Sequence, residues 1–150
     1  MQRVGELDPL DDSGLCLLSL DGGGVRGLSS LYILKGIMAR LNHERGLENL
    51  PPVKPCDVFD LIGGTSTGGL IAIMLGRLEM DVDECISVYS ELMRSIFKKK
   101  WNWFPISLTG KSRSRFKSAK LESAIKEAII RHGSKETDLF NDGVDRRCRV

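Results

Sequence analysis

Two glycine-rich turns govern what this 150-residue chain can fold into. The first reads Gly22-Gly23-Gly24-Val25-Arg26-Gly27 and the second Gly64-Thr65-Ser66-Thr67-Gly68-Gly69. Each follows a short apolar run and opens an apolar segment with helical spacing. Residues 15–20, Leu-Cys-Leu-Leu-Ser-Leu, read as a buried strand stopped by Asp21-Gly22. Leu28, Leu31, Leu34, Ile37, Met38 and Leu41 then recur every three or four residues, which predicts a helix with one buried face. Residues 58–62 read as the next strand. Leu70, Ile71, Ile73, Met74, Leu75 and Leu78 predict a nearly all-apolar, central helix. Strand, glycine turn and helix, twice over, indicate an α/β fold with a parallel sheet. Such sheets bind ligands at the carboxyl ends of their strands. Both turns fall at such ends, so they can share one site.

The rest of the chain is read from its punctuation. Residues 42–55 are polar and contain prolines, which predicts a surface connection. Asp81 and Glu84 have capping-box spacing, with Asp in place of Ser or Thr, ahead of a helix through Ile86, Tyr89, Leu92, Met93 and Phe97. Residues 98–117 read as a long basic loop. Ser118 can cap a helix through Leu121, Ala124, Ile125, Ala128 and Ile129, with His132 in its last turn and Gly133 just past it. Residues 147–150 read as the start of a further strand. The expectation is a polar segment at 1–14 and, over 15–150, the N-terminal portion of an α/β domain truncated on its C-terminal side.

The second turn fits G-x-S-x-G. Chemistry needs this spacing because the serine occupies a cramped backbone conformation between strand and helix. Gly64 and Gly68, two positions to either side, let neighbouring backbone pass without a Cβ clash. The turn exposes the Ser66 hydroxyl, and the Thr67 N–H at the helix start can stabilise an oxyanion. Ser66 is therefore the candidate nucleophile.

The first turn also fits G-x-G-x-x-G, so a dinucleotide site is the competing reading. That reading needs a second strand ending in an acid about 20 residues on. Residues 42–49 are polar instead, and Glu44 and Glu48 lack that setting. An oxyanion loop fits better, with the N–H groups of Gly23 and Gly24 facing a substrate carbonyl and Arg26 adding charge or holding the loop.

Asp21-Gly-Gly-Gly-Val-Arg-Gly, followed about 40 residues later by Phe59-Asp-Leu-Ile-Gly-Gly-Thr-Ser-Thr-Gly-Gly, resembles the patatin-like phospholipase domain. The resemblance is strongest up to Leu78 and weak beyond Phe97. It implies a three-layer α/β/α fold and a lipid acyl hydrolase of phospholipase A or lysophospholipase type. Its catalytic pair would be serine and aspartate, its oxyanion loop residues 22–27, and its substrate a phospholipid or other acyl lipid. The family's aspartate lies far downstream in Asp-Gly-Gly or Asp-Gly-Ala, and neither follows Ser66 here. Asn141-Asp142-Gly143 is better explained as a turn. The dyad partner is thus expected to be missing from these residues. The alternative is a non-catalytic patatin-like module that binds lipid or regulates.

Charge adds one further expectation. Between Arg94 and Lys120 lie nine basic residues and no acid, so the rest of the chain is net acidic. Within that stretch Lys98, Lys99, Lys100, Trp101 and Trp103 join cations to aromatics that favour interfaces, suggesting peripheral contact with anionic membrane. Nucleic-acid binding is not expected, since no recognised motif accompanies the charge. Cys16, Cys56, Cys85 and Cys148 lack CxxC spacing and read as buried, reduced thiols of an intracellular, cytoplasmic protein. Only His43 and His132 could serve as imidazole ligands, and no acidic cluster has calcium spacing, so no metal or cofactor is expected.

Overall fold

The structure, a computed structural model, describes residues 14–97, 118–133, 137, 140 and 143–150. Strand β1 (Leu17–Leu20) leads through a 3-10 turn (Gly24–Arg26) into helix α1 (Gly27–Leu47). A short helix α2 (Pro55–Val58) precedes strand β2 (Leu61–Gly64), from which α3 (Thr67–Ala72) emerges and continues as a π-helical stretch (Ile73–Arg77). Helices α4 (Val82–Phe97) and α5 (Ser118–Arg131) follow.

The two strands are parallel and in step, Leu17 opposite Leu61 and Leu20 opposite Gly64. A further parallel bridge joins Leu61 to Arg149, with Ile62 N–H donating to the Arg149 carbonyl at 2.9 Å and Arg149 N–H to the Asp60 carbonyl at 2.8 Å. Residues near 149 therefore take the next sheet position, as their sequence predicts.

One face of the sheet carries the core. Ile62 and Leu20 pack with Leu31, Leu34 and Met38 of α1, Ile71 and Ala72 of α3, Met74 and Leu75 beyond it, and Cys85, Tyr89, Leu92 and Met93 of α4. On the other face Leu17 is 58% exposed and Leu61 40% exposed. The first strand is thus half-buried rather than buried. Among the described residues a helical layer covers only the Leu20 and Ile62 face.

Local boundaries differ from the sequence reading for identifiable reasons. Residues 42–47, expected in a connection, extend α1. The Arg40–Glu44 ion pair at 2.8 Å has helical spacing, and the Asn42 amide bonds both backbone groups of Val53 (2.8 and 3.1 Å). Pro55 at a helix start, with Lys54 N–H donating to Asp57 Oδ2 at 2.8 Å, uses residues 55–58 for a helical turn and delays β2 to residue 61. Ile37 is 54% exposed, one step off the stripe formed by Leu31, Leu34 and Met38. The capping box appears as read: Asp81 N–H donates to Glu84 Oε2 at 3.0 Å, and Glu84 N–H to Asp81 Oδ1 at 2.8 Å. Gly133, at φ +77°, ends α5 with its N–H on the Ile130 carbonyl.

Candidate active site

The in-step register decides the site. Because Leu20 and Gly64 are paired, both strands end at the same level, and residues 21–24 and 65–67 emerge side by side. The ladder continues one bond further, Thr65 N–H to the Leu20 carbonyl at 3.1 Å. A methyl group on Gly22 would stand 3.0 Å from Ser66 Cβ and 3.7 Å from Ser66 Oγ. The first glycine turn therefore lies against the serine of the second.

Ser66 adopts φ 53° and ψ −121°, which L side chains rarely take, and it is exposed. Conformations of this kind cost about 1–3 kcal/mol and persist where the surroundings over-determine them. Gly68 supplies much of that determination. A Cβ there would overlap the Leu20 carbonyl oxygen, so α3 can start directly above the end of β1 only with glycine. Gly64 is similarly pressed, its Cβ position lying 2.8 Å from Gly69 N.

Threonine hydroxyls lace the two turns together. Gly22 N–H donates to Thr65 Oγ1 at 3.3 Å, while the N–H groups of Gly23 and Gly24 converge on Thr67 Oγ1 at 3.2 and 3.1 Å. The two amides assigned to a substrate carbonyl by the sequence reading thus point at one oxygen atom, that of Thr67. Thr67 is also the first residue of α3, so its own N–H has no partner inside the helix. Arg26 closes the 3-10 turn with its N–H on the Gly23 carbonyl, and its side chain folds back beside Gly23, whose Cβ position lies 3.4 Å from Arg26 Nε. Val25 is exposed at the tip.

Beneath the loop lies a residue the sequence reading treats only as core. Tyr89 of α4 is 0% exposed and donates its phenol O–H to the Gly24 carbonyl at 2.6 Å. Burial pushes its pKa up, while the neighbouring Thr67 side chain works against that rise. The available signal was a tyrosine in an apolar helix stripe, because a buried phenol needs a polar partner.

Among the described residues, no His, Asp or Glu hydrogen-bonds the Ser66 hydroxyl. His43 sits on α1 and His132 just beyond α5. Lys98, Lys99, Lys100, Trp101, Trp103, Asn141 and Asp142 lie outside the described residues. Cys56, Cys85 and Cys148 are buried and free, while Cys16 is free and exposed. Burial, with a smaller contribution from Asp81, pushes the Cys85 thiol up to about 12.

A family model described as patatin-like phospholipase matches residues 18–147. The chain belongs to that family. Both glycine turns fall within the match. Human calcium-independent phospholipase A2-gamma is 36% identical over 96 residues, covering 64% of this chain and 11% of that protein. Phospholipase A I of Arabidopsis thaliana is 42% identical over 84 residues, 56% of this chain and 6% of that protein. Patatin-like protein 1 of Oryza sativa subsp. indica is 33% identical over 132 residues, 84% of this chain and 31% of that protein. The chain thus spans about a tenth of the human relative's length. No solved structure matches. The patatin-like fold is α/β, in keeping with the parallel strands and helices described above. No helix among the described residues is long and apolar enough to cross a membrane.

Proposed function

We propose that this chain carries the nucleophile and oxyanion half of a serine acyl hydrolase acting on fatty-acyl esters of lipids. The observation that supports this most is the closeness of Gly22 to Ser66 Cβ, which sets a strained, exposed hydroxyl beside a loop rich in N–H donors. Ser66 Oγ adds to the ester carbonyl carbon as its proton passes to a base, and the carbonyl oxygen becomes an oxyanion. The Thr67 N–H and the amides of Gly23 and Gly24 are its donors. For the latter two, the oxyanion takes the place of the Thr67 hydroxyl. That exchange is favourable, because a charged acceptor makes hydrogen bonds roughly twice as strong as a neutral one. Collapse of the tetrahedral centre breaks the ester C–O bond, with the proton going to the departing alkoxide. An acyl-serine remains, which water cleaves to the fatty acid.

In this reading the base is the aspartate implied by the family resemblance, whose motif does not follow Ser66 here. Phospholipid as substrate comes from the relatives' names. The chain should therefore turn over esters only at a residual rate. Removing a base costs several orders of magnitude, while an oxyanion site alone retains part of the acceleration. Hydrolysis of a fluorogenic short-chain ester tests this. A slow rate abolished by Ser66→Ala is expected, and a rate indifferent to that substitution contradicts the proposal. A second reading, a lipid-binding module without turnover, draws on the lack of a base hydrogen-bonded to Ser66 among the described residues. It predicts no Ser66-dependent rate at all.

A further inference from the structure

The glycine loop is held from below by a side chain that lies 65 residues away in sequence. Tyr89 enters on α4 and passes under α1 at Gly27. A Cβ on Gly27 would overlap the phenol oxygen and stand 2.8 Å from the ring carbon that bears it. The fit leaves no room for a side chain at Gly27, and it brings the phenol O–H to the Gly24 carbonyl at 2.6 Å. That carbonyl belongs to the peptide joining Gly24 to Val25. In a planar trans peptide the C=O and N–H point in opposite directions. Fixing the Gly24 oxygen inward therefore fixes the Val25 N–H outward and prevents the peptide from flipping. Gly24 has φ +59° and Gly23 φ +152°, so the loop's own backbone offers little resistance to such a flip.

The Thr67 side chain lies beside the same phenol, and its hydroxyl oxygen accepts both the Gly23 and Gly24 N–H groups. The two lone pairs of that hydroxyl oxygen are thereby both used. One bond runs from Tyr89 O–H to the Gly24 carbonyl, and two run from loop amides to the Thr67 oxygen. No buried side-chain nitrogen or oxygen is left unpaired among the described residues.

We propose that Tyr89 is a positioning residue for residues 22–27: its phenol pins the Gly24 carbonyl, so the Gly23 and Gly24 amides stay converged on one point before any acyl oxygen arrives. The holding role rests on these contacts, and only its catalytic purpose rests on the acyl-hydrolase reading above. Preorganised donors matter because they need no rearrangement as charge develops.

Amide hydrogen exchange on the 15N-labelled chain tests the holding role, and the rate of Ser66 phosphonylation by a fluorophosphonate tests its purpose. Tyr89→Phe keeps the ring and removes only the hydroxyl. It should speed exchange at Gly23 and Gly24 about tenfold or more, with core amides of α1 and α3 within twofold of wild type. It should also shift the Gly24 carbonyl 13C resonance and slow phosphonylation about tenfold. Thr67→Val should expose the same two amides, while Thr67→Ser, which keeps the hydroxyl, should restore their protection. Exchange at Gly23 and Gly24 unchanged in Tyr89→Phe, or raised equally throughout the core, overturns the proposal. Should Tyr89→Phe fail to fold, the wild-type phenol proton decides: a Tyr89 hydroxyl resonance protected from solvent exchange supports the bond to Gly24, and one lost to rapid exchange overturns it. Selective loss of protection in a chain whose Ser66 never reacts would keep Tyr89's holding role and remove the hydrolase reading.

Discussion

Gly22 lies against Ser66, with room between them for less than one methyl group: a Cβ at Gly22 would sit 3.0 Å from Ser66 Cβ and 3.0 Å from the Thr65 carbonyl oxygen. Gly22→Ala should therefore displace the elbow by a few tenths of an ångström rather than unfold the chain. We expect a loss of about 1 kcal/mol in unfolding free energy, at the lower end for overpacking. Phosphonylation of Ser66 should fall about tenfold or more. Urea titration and probe kinetics on the same preparation separate the two effects, and unchanged kinetics would count against a shared site.

The capping box at the start of α4 gives a stability prediction independent of catalysis. Asp81→Ala removes the acceptor of the Glu84 N–H bond and should cost about 0.5–2 kcal/mol, measured by denaturant unfolding. A change below a few tenths would show that the cap contributes nothing in this context.

Both turns and the alternation that places them were legible in the sequence, because apolar runs broken by glycine leave few ways to fold. The boundaries were not. Residues 42–47 look like a loop until Asn42 is seen clasping the Val53 backbone, a contact across eleven residues that local propensity does not encode. A run of leucines looks the same whether one face of a strand or both are covered, so the half-burial of β1 is not readable from it. Within the site, Ser66 and the glycines follow from spacing. Tyr89 does not, because its partner is a backbone carbonyl rather than a residue type.

Alkaline pH should destabilise the fold through Cys85. Its thiol is pushed up to about 12 by burial, so above roughly pH 8.5, the ordinary cysteine value, the unfolded chain releases a proton that the folded chain keeps. The unfolded state then binds fewer protons, and stability falls as pH rises toward 12, by up to about 1.4 kcal/mol per pH unit. Cys56, raised to about 11 chiefly by burial, acts in the same direction. Unfolding midpoints between pH 8 and 10 should drop in wild type and drop less in Cys85→Ala. Equal slopes in the two proteins would assign the effect elsewhere.

The basic aromatic stretch carries a membrane prediction. At about 1 kcal/mol per lysine near an anionic surface, replacing Lys98, Lys99 and Lys100 together should weaken binding to phosphatidylserine-containing vesicles about a hundredfold. Sedimentation with and without anionic lipid, at low and high salt, provides the measurement. Equal, salt-insensitive binding to neutral and anionic vesicles would contradict the proposal.

Intact-mass and peptide mapping after treatment with a fluorophosphonate tests the central claim most directly, because that reagent reports a serine whose hydroxyl and oxyanion donors share one small space. The account predicts a single adduct on Ser66, absent in Ser66→Ala and slowed in Gly22→Ala. A chain that stays unmodified, or an adduct that persists in Ser66→Ala, would contradict it.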